Sequence, residues 1–228
     1  MSESSGTKEP QYNTMIDELK QSGRFEMGLH ANASWKTDPR HLLFNMSRYK
    51  FVSKMFSGRQ KVLEVGCGDA FGTRLVRQEV ENVTVTDIDP IFINDINSRQ
   101  DERWKLNAFT HNMLDGPIDG GFDGVYALDV IEHILPENED AFLRNVIASM
   151  SAEGALIMGA PSLESQVYAS PISKEGHVNC KSGKTFKAFF ERYFTNVFVF
   201  SMNDEVVHTG YYPMAHYLFA VCTGIRAQ

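Results

Sequence analysis

Residues 61–72 read KVLEVGCGDAFG, and this stretch determines how the rest of the chain is interpreted. Residues 61–65 have the apolar, β-branched character of a strand that is covered on both faces of a parallel sheet. Gly66 and Gly68 follow at once and allow positive φ and a close approach of the backbone to a ligand. Residues 69–77 can then continue as a helix. The stretch therefore predicts a strand, turn and helix unit that binds a nucleotide-like molecule.

Two acids narrow the identity of that molecule. Asp87 ends the next predicted strand, NVTVTD, and a carboxylate there can accept hydrogen bonds from both hydroxyls of a ribose. Glu64 lies two residues before the first glycine, in a pattern E-x-G-x-G-x-x-x-G that differs from the pyrophosphate-binding G-x-G-x-x-G. S-adenosylmethionine (SAM) carries no phosphate, and its cationic groups favour a nearby carboxylate. These residues favour SAM over a dinucleotide.

At this point the sequence resembles the class I SAM-dependent methyltransferases. Residues 62–72, VLEVGCGDAFG, are similar to the first motif of that family, and residues 122–134, FDGVYALDVIEHI, are similar to its fourth strand and the following loop. The resemblance covers Lys61 to about Ala160. It implies an α/β, seven-stranded Rossmann-like fold, with a mostly parallel sheet and an antiparallel C-terminal hairpin. A weaker similarity, in SRYKFV, EGHVN and NDEVVHTG, points to enzymes of capsular-polysaccharide gene clusters that methylate a sugar or its phosphoramidate decoration.

The length of 228 residues predicts one domain. We expect a disordered tail over residues 1–11, an N-terminal helical lid over 12–58 and a SAM-binding core over 59–228. Strand and helix signals alternate through the core, which indicates a parallel sheet with crossover helices. The predicted strands cover residues 61–65, 83–87, 105–109, 122–127 and 154–160, followed by FTNVFVFSM and MAHYLFAVC. The predicted helices cover residues 12–21, 40–56, 70–79, 90–99, 137–150 and 182–192.

Composition excludes several classes of function. The net charge of −7 argues against a broad nucleic-acid surface, which depends on clustered lysine and arginine. No apolar run approaches the roughly 20 residues of a membrane-spanning helix, and the polar N-terminus is unlike a secretory signal. The three cysteines are far apart in the sequence and fit a reducing compartment. We therefore expect a cytoplasmic monomer or homodimer with a small-molecule or sugar-linked substrate.

The resemblance assigns cofactor contacts to the ends of the predicted strands. Asn112 occupies the position where the family commonly has an acid beside the adenine amino group, and an amide can still accept from N6 and donate to N1. Met113 and Ile88 are apolar neighbours for the adenine ring. The candidate cofactor-binding residues are Glu64, Gly66, Cys67, Gly68, Asp87, Ile88, Asn112, Met113, Leu128 and Asp129.

Catalytic and substrate-binding candidates come from outside the glycine-rich motif. His133 is the first choice for a general base, with His177 and His208 next, because a histidine titrates near neutral pH. Cys67 is expected to be a small buried residue of the turn rather than a reactive thiol. The spacing of histidines and acids offers no metal-binding pattern, so no metal is predicted. The candidate substrate-binding residues are Trp35, Arg40, Arg48, Tyr168, Asn179, Asp204 and Glu205.

The predicted function is methyl transfer from SAM to an oxygen or nitrogen atom of a small acceptor, with S-adenosylhomocysteine as product. The acceptor could be a nucleotide-linked sugar or a capsular-glycan precursor that carries phosphoramidate. Three alternatives stay open at this point: an RNA or protein methyltransferase on the same fold, an NAD-dependent oxidoreductase, and a SAM-binding module without activity.

Overall fold

One mixed β-sheet organises the chain in a computed structural model that describes residues 7–227. Its strand order is β3-β2-β1-β4-β5-β8-β6-β7. The strands are β1 (Lys61–Val65), β2 (Asn82–Asp87), β3 (Asn107–Thr110), β4 (Phe122–Leu128), β5 (Met150–Pro161), β6 (Phe194–Asn203), β7 (Val206–His208) and β8 (Tyr217–Ile225).

The first five strands pair in parallel, and the C-terminal strands add antiparallel pairs. Strand β8 inserts between β5 and β6 and is antiparallel to both. The predicted mostly parallel sheet with an antiparallel C-terminal hairpin is confirmed. The sheet has eight strands rather than seven, because the loop that was expected to join the last two strands contains the short edge strand β7, paired with β6.

Eight α-helices connect or cover the strands in the described part of the chain. Pro39 occupies the first turn of α3, and Asp38 caps the helix by accepting a hydrogen bond from the backbone N–H of Arg40. The segment before it was expected to be a loop and forms α2 instead. The helices are α1 (Asn13–Ser22), α2 (Leu29–Thr37), α3 (Pro39–Met55), α4 (Thr73–Arg77), α5 (Pro90–Ser98), α6 (Glu139–Ala148), α7 (Pro171–Gly176) and α8 (Gly183–Glu191).

Alternate strand residues divide the hydrophobic core between the two faces of the sheet. Val62 packs in the cluster that includes α3, α4 and α5, whereas Leu63 packs in the cluster that includes α6 and α8. Ile157 and Leu156 divide in the same way on β5. The strands are therefore covered on both faces, as the unbroken apolar runs predicted.

Helix α3 is fastened directly to the glycine-rich turn. A Cβ atom on Gly72 would lie 2.2 Å from the ring of Tyr49, so only glycine lets the helix approach this closely. The hydroxyl of Tyr49 also donates a 2.9 Å hydrogen bond to Glu64 on β1. Helix α3 thus packs against the glycine-rich turn at the carboxyl end of β1.

The expected disordered tail falls partly outside the described residues, which begin at Thr7. Within it, Pro10–Tyr12 form a single 3₁₀ turn that leads into α1. No helix in residues 7–227 combines the length and the apolar character that crossing a bilayer requires.

Candidate functional site

A cavity of about 820 Å³ lies at the carboxyl ends of the central strands. This volume is in the upper part of the range of roughly 300–1,000 Å³ for small-molecule sites. One side, which we call the strand wall, consists of residues that follow β1 to β4. The other side, the helix wall, consists of residues from α2, α3 and α7.

The glycine-rich turn forms the base of the strand wall. Gly66 and Gly68 adopt φ values of +71° and +52°, which side chains of L residues rarely allow. A Cβ atom on Gly68 would lie 3.1 Å from the ring of His30 on α2, so the turn is closely covered by the helix wall. Cys67 is 3% exposed, as expected of a small buried residue of the turn, and burial raises the pKa of its thiol.

Asp87 lies at the end of β2 and lines the cavity. One carboxylate oxygen accepts a 2.9 Å hydrogen bond from the backbone N–H of Gly68, and the other accepts one of 2.9 Å from the N–H of Asp89. Each oxygen keeps a further lone pair, so the carboxylate is held in place and can still accept hydrogen bonds from a ligand.

The ends of β3 and β4 complete the strand wall. Ile88 is 69% exposed there, whereas Met113 is buried at 2%. The side-chain oxygen of Asn112 accepts from the backbone N–H of Leu114 at 3.0 Å, which orients this amide at the cavity surface. The predicted cofactor residues that the structure brings to the cavity are Gly66, Cys67, Gly68, Asp87, Ile88, Asn112, Met113, Leu128 and Asp129.

Glu64 is the predicted cofactor residue that does not line the cavity. Its carboxylate is 1% exposed and accepts hydrogen bonds from the hydroxyls of Tyr49, Thr73 and Tyr126, at 2.9, 2.5 and 2.7 Å. Burial outweighs these hydrogen bonds and raises the pKa of Glu64 to about 7. The expectation of a direct contact with SAM is therefore corrected: this acid joins α3 and α4 to the sheet.

Asp129 has a second function besides lining the cavity. Its backbone has φ of +57°, and its carboxylate forms a 2.6 Å ion pair with Arg48, a residue of α3 that is 8% exposed. The guanidinium of Arg48 stacks on the ring of Tyr217, 3.9 Å from its centre. Arg48 was expected to bind substrate; the structure places it behind the wall, where it orients Asp129.

Two of the three candidate general bases lie together. His133 lines the cavity, and its ring centre is 5.2 Å from that of His177. Burial, together with the neighbouring His133, lowers the pKa of His177 below its ordinary value. Glu132, between β4 and α6, is completely buried beside them, and desolvation raises its pKa well above the usual range. His133 therefore stands at the end of the cavity with a histidine and a buried acid behind it.

His208 does not reach the cavity, so the structure does not support its expected catalytic function. It lies on the edge strand β7, where one ring nitrogen is 2.9 Å from the side-chain oxygen of Asn203 and the other accepts from the N–H of Gly210. Long loops between strands often contain functional residues, but both ring nitrogens of His208 have hydrogen-bond partners within this loop.

The remaining candidate substrate-binding residues also lie outside the cavity lining. Each of them is either exposed elsewhere on the surface or bound to a neighbouring side chain. Trp35 is 59% exposed on the outer face of α2, and Tyr168 is 89% exposed. Asn179 binds Glu139 and Lys181 through its side chain. The others are exposed: Arg40 pairs with Asp38, and Asp204 and Glu205 form the turn between β6 and β7.

The helix wall contains polar residues that sequence reasoning did not select. His41 and Asn45 line the cavity from α3, one helical turn apart, in register with Tyr49. This i, i+4, i+8 spacing is the signal that could have identified them. His30 and Ser34 line it from α2, which was not predicted to be a helix, and Ser173 comes from α7.

Comparison with known proteins agrees with this geometry. Residues 63–156 match the family model described as a methyltransferase domain. No curated protein sequence matches the chain significantly. The family model covers the strand wall, and the predicted SAM-dependent methyltransferase activity is confirmed.

Solved structures of low sequence identity share the fold. The N-methyltransferase NodS from Bradyrhizobium japonicum, in complex with S-adenosyl-L-homocysteine, is 17% identical, with a TM-score of 0.62 over 83% of this chain and 91% of that one. The DhpI-SAM-HEP complex is 15% identical, with a TM-score of 0.60 over 97% and 99%. The methyltransferase domain of bacterial CtHen1 is 19% identical, with a TM-score of 0.61 over 79% and 99%. SAM is the cofactor of this enzyme.

Proposed function

We propose that this enzyme transfers the methyl group of SAM to a hydroxyl of a small, uncharged acceptor that binds between the strand wall and the helix wall. The observation that carries the proposal is the joint composition of the cavity. The predicted SAM contacts lie on one side, and His41, Asn45 and Ser173 face them from the other. One cavity of about 820 Å³ thus offers room for donor and acceptor together.

On this proposal, the strand wall holds SAM as the sequence predicted. Asp87 accepts hydrogen bonds from the ribose hydroxyls, and Ile88 and Met113 contact the adenine ring. Gly66 and Gly68 let the backbone approach the cofactor, and Asp129 lies near its cationic methionine part. Its carboxylate favours a positive charge there, and Arg48 fixes its direction.

The charges of the cavity favour an uncharged acceptor. Among the described residues, the lining contains Asp69, Asp87 and Asp129 but no lysine or arginine. A phosphate in this space would meet carboxylates and no fixed cation. A sugar hydroxyl fits better, and the phosphates of a nucleotide-linked sugar or the phosphoramidate of a glycan precursor would have to lie outside the cavity.

The reaction is an in-line displacement at the methyl carbon of the sulfonium. The acceptor oxygen forms the new bond to carbon as the carbon–sulfur bond breaks, and the sulfur keeps the electron pair. Positioning and exclusion of water can supply on the order of 7 kcal/mol or more. A hydroxyl must also lose its proton, and on this proposal His133, which lines the cavity beside His177, assists that loss.

The function is tested with methyl-labelled SAM and acceptors offered in pairs, each sugar with and without a phosphate group. We expect label in the uncharged member of a pair. His133→Ala should lower kcat by about 10² to 10⁴ while the Kd for SAM stays unchanged, and His208→Ala, the matched control, should behave as the original enzyme. Transfer of label to RNA or protein from a fractionated extract, with none to small molecules, would overturn the proposal.

A further inference from the structure

Three metal-ligating side chains meet at the end of the cavity. A carboxylate oxygen of Glu132 and a ring nitrogen of each of His133 and His177 all lie within 4.8 Å of one another. The closest pair that the structure gives is Glu132 Oε1 and His133 Nε2, at 3.9 Å. This separation is too long for a hydrogen bond, so the acid and the histidine do not satisfy each other.

The hydrogen-bond partner of His133 determines which nitrogen is free. Its Nδ1 lies 2.8 Å from the backbone oxygen of Gly176. A carbonyl oxygen can only accept, so Nδ1 carries the proton. In the neutral ring Nε2 then has a lone pair, which faces the carboxylate of Glu132.

His177 is held in the same tautomer by a longer chain of contacts. Its Nδ1 lies 2.8 Å from the side-chain oxygen of Gln166. The amide nitrogen of Gln166 donates to the backbone oxygen of Ser162 at 3.1 Å, which fixes the oxygen towards the histidine. The Nε2 atom of His177 is therefore also a lone-pair donor. A ring N–H that binds an oxygen acceptor is the usual outer support of a metal-binding histidine.

Glu132 completes the set as a buried carboxyl group without a hydrogen-bond partner. It is completely buried, and neither carboxylate oxygen has a hydrogen-bond partner among the described residues. Arg48 lies within electrostatic reach but donates its 2.6 Å hydrogen bond to Asp129. A buried carboxylate without a donor is costly. Three groups that can each offer a lone pair thus converge, and none of the three pairs is satisfied by a hydrogen bond that the described residues show.

We propose that Glu132, His133 and His177 bind one divalent transition-metal ion beside the methyl-transfer site. Imidazole together with a carboxylate suits Zn²⁺, Mn²⁺, Fe²⁺ or Co²⁺ better than Mg²⁺ or Ca²⁺. In a tetrahedral site with metal–ligand bonds of about 2.0–2.2 Å, two ligand atoms lie roughly 3.4 Å apart. The ligand atoms of this cluster lie within 4.8 Å of one another, so the cluster must contract by on the order of 1 Å, through side-chain rotation, when the ion binds.

The inference rests on the proposed function, in which the ion would activate the acceptor hydroxyl. Three protein ligands leave at least one position open, and His133 lines the cavity that would hold the acceptor. An acceptor hydroxyl bound there has a lowered pKa. It releases its proton to solvent, and the resulting oxygen anion attacks the methyl carbon while sulfur leaves with the electron pair. In this role His133 is a ligand rather than a general base. The sequence did not predict the site because His177 lies 44 residues beyond His133 and is brought back by α7.

Co²⁺ binding to the full chain tests the site without SAM or acceptor. Protein stripped with a chelator is titrated with Co²⁺, and the visible absorption of the bound ion is recorded. We expect one equivalent to bind, and Zn²⁺ to displace it. Glu132→Gln and His177→Ala should abolish this signal, while His208→Ala should keep it. Gln166→Leu, which removes only the support of His177, should weaken binding about 10- to 100-fold.

Failure of this inference can be told apart from failure of the proposed function. No stoichiometric binding by the original protein, or binding retained in both Glu132→Gln and His177→Ala, overturns the metal site. An infrared band of a protonated carboxyl group that is lost in Glu132→Gln and persists when Co²⁺ is added also overturns it. Co²⁺ binding by a protein that transfers no methyl group would leave the site in place and refute the function. The melting temperature of each variant confirms that it is folded.

Discussion

The two walls of the cavity are built in different ways. Residues of the strand wall sit immediately after β1 to β4, so the sheet itself fixes their positions. Residues of the helix wall come from α2, α3 and α7, which are held against the sheet by side-chain contacts such as the hydrogen bond between Tyr49 and Glu64. The family match over residues 63–156 includes the strand wall. It begins after α3 and ends before α7, so it leaves out the helix wall. The contrast teaches that the strand wall belongs to the matched methyltransferase domain, whereas the helix wall is supplied by segments outside it.

The largest expected effect is a loss of SAM affinity on substitution of Asp87 in the strand wall. On the proposed function, Asp87→Ala removes two hydrogen bonds between a charged group and the ribose, each worth about 1.5–3 kcal/mol. A loss of about 3 kcal/mol or more corresponds to on the order of 100-fold in affinity. Calorimetric titration with SAM should show this weakening, and the acceptor affinity, measured with S-adenosylhomocysteine present in excess, should change little.

Asp89→Ala is the matched control for this change. Asp89 lies two residues away and caps α5 through the N–H of Ile91. It is absent from the cavity lining, so SAM affinity should stay near that of the original protein. Equal weakening by both substitutions would show that the effect comes from the β2 to α5 connection rather than from the ribose contact.

The second expected effect is a pH-dependent change in stability caused by Glu64, whose carboxyl group on β1 binds the hydroxyl of Tyr49 on α3. Its folded pKa of about 7 lies above the ordinary value of 4.5, so the folded state binds a proton more tightly than the unfolded state. The stabilisation is complete below pH 4.5 and is lost as the pH rises through 7. A shift of this size is worth about 3 kcal/mol in the free energy of unfolding.

Glu64→Gln isolates this contribution. The difference in unfolding free energy between the original protein and the variant, measured with urea at several pH values, should change by up to about 3 kcal/mol from pH 4.5 to pH 8. The original protein should lose stability relative to the variant as the pH rises. A pH-independent difference would mean that the three hydroxyl donors hold the carboxylate ionised in the folded state.

The smallest effect is a local change in the helix wall. Asp69, next to the glycine-rich turn, accepts a 2.8 Å hydrogen bond from the backbone N–H of Ala31 in the first turn of α2. Asp69→Ala should cost about 1 kcal/mol, the usual contribution of a helix cap. Hydrogen exchange measured by mass spectrometry should become faster across residues 29–37. The Asp89→Ala protein should leave that segment unchanged, and equal protection in both variants would argue against Asp69 as its anchor.

Sequence reasoning predicted the strand wall well because its information is local. A buried strand, a glycine pair and an acid at the end of the next strand appear in order along the chain, and parallel strands bring their ends to one edge. Gly68 and Asp87 are 19 residues apart in sequence and joined by a hydrogen bond in the structure. Glu64 shows the limit of this local prediction. Its position on β1 was predicted, but its carboxyl group binds the hydroxyl of Tyr49. The position of Tyr49 depends on how α3 packs against the sheet.

The helix wall was predicted less well for a physical reason. Trp35 and Arg40 were selected because their side chains could bind a ligand. Which face of a helix points towards the cavity, however, is determined by how the helix packs on the sheet. His41 and Asn45 face the cavity because Val52, further along α3, is drawn into the core. The meeting of His133 with His177 depends on the path of residues 162–182, which carries no local signal of its own. Such pairings can be obtained only from tertiary structure.

The close approach of Tyr49 to Gly72 determines which pieces of this enzyme can be exchanged. A graft that replaced residues 12–58 with the corresponding helices of another methyltransferase would confront Gly72 with a different side chain and deprive Glu64 of one of its hydroxyl partners. The junction of a functional hybrid therefore belongs after the glycine-rich turn rather than before β1. Recombination at that point would carry the helices, the turn and the buried acid as one inherited block.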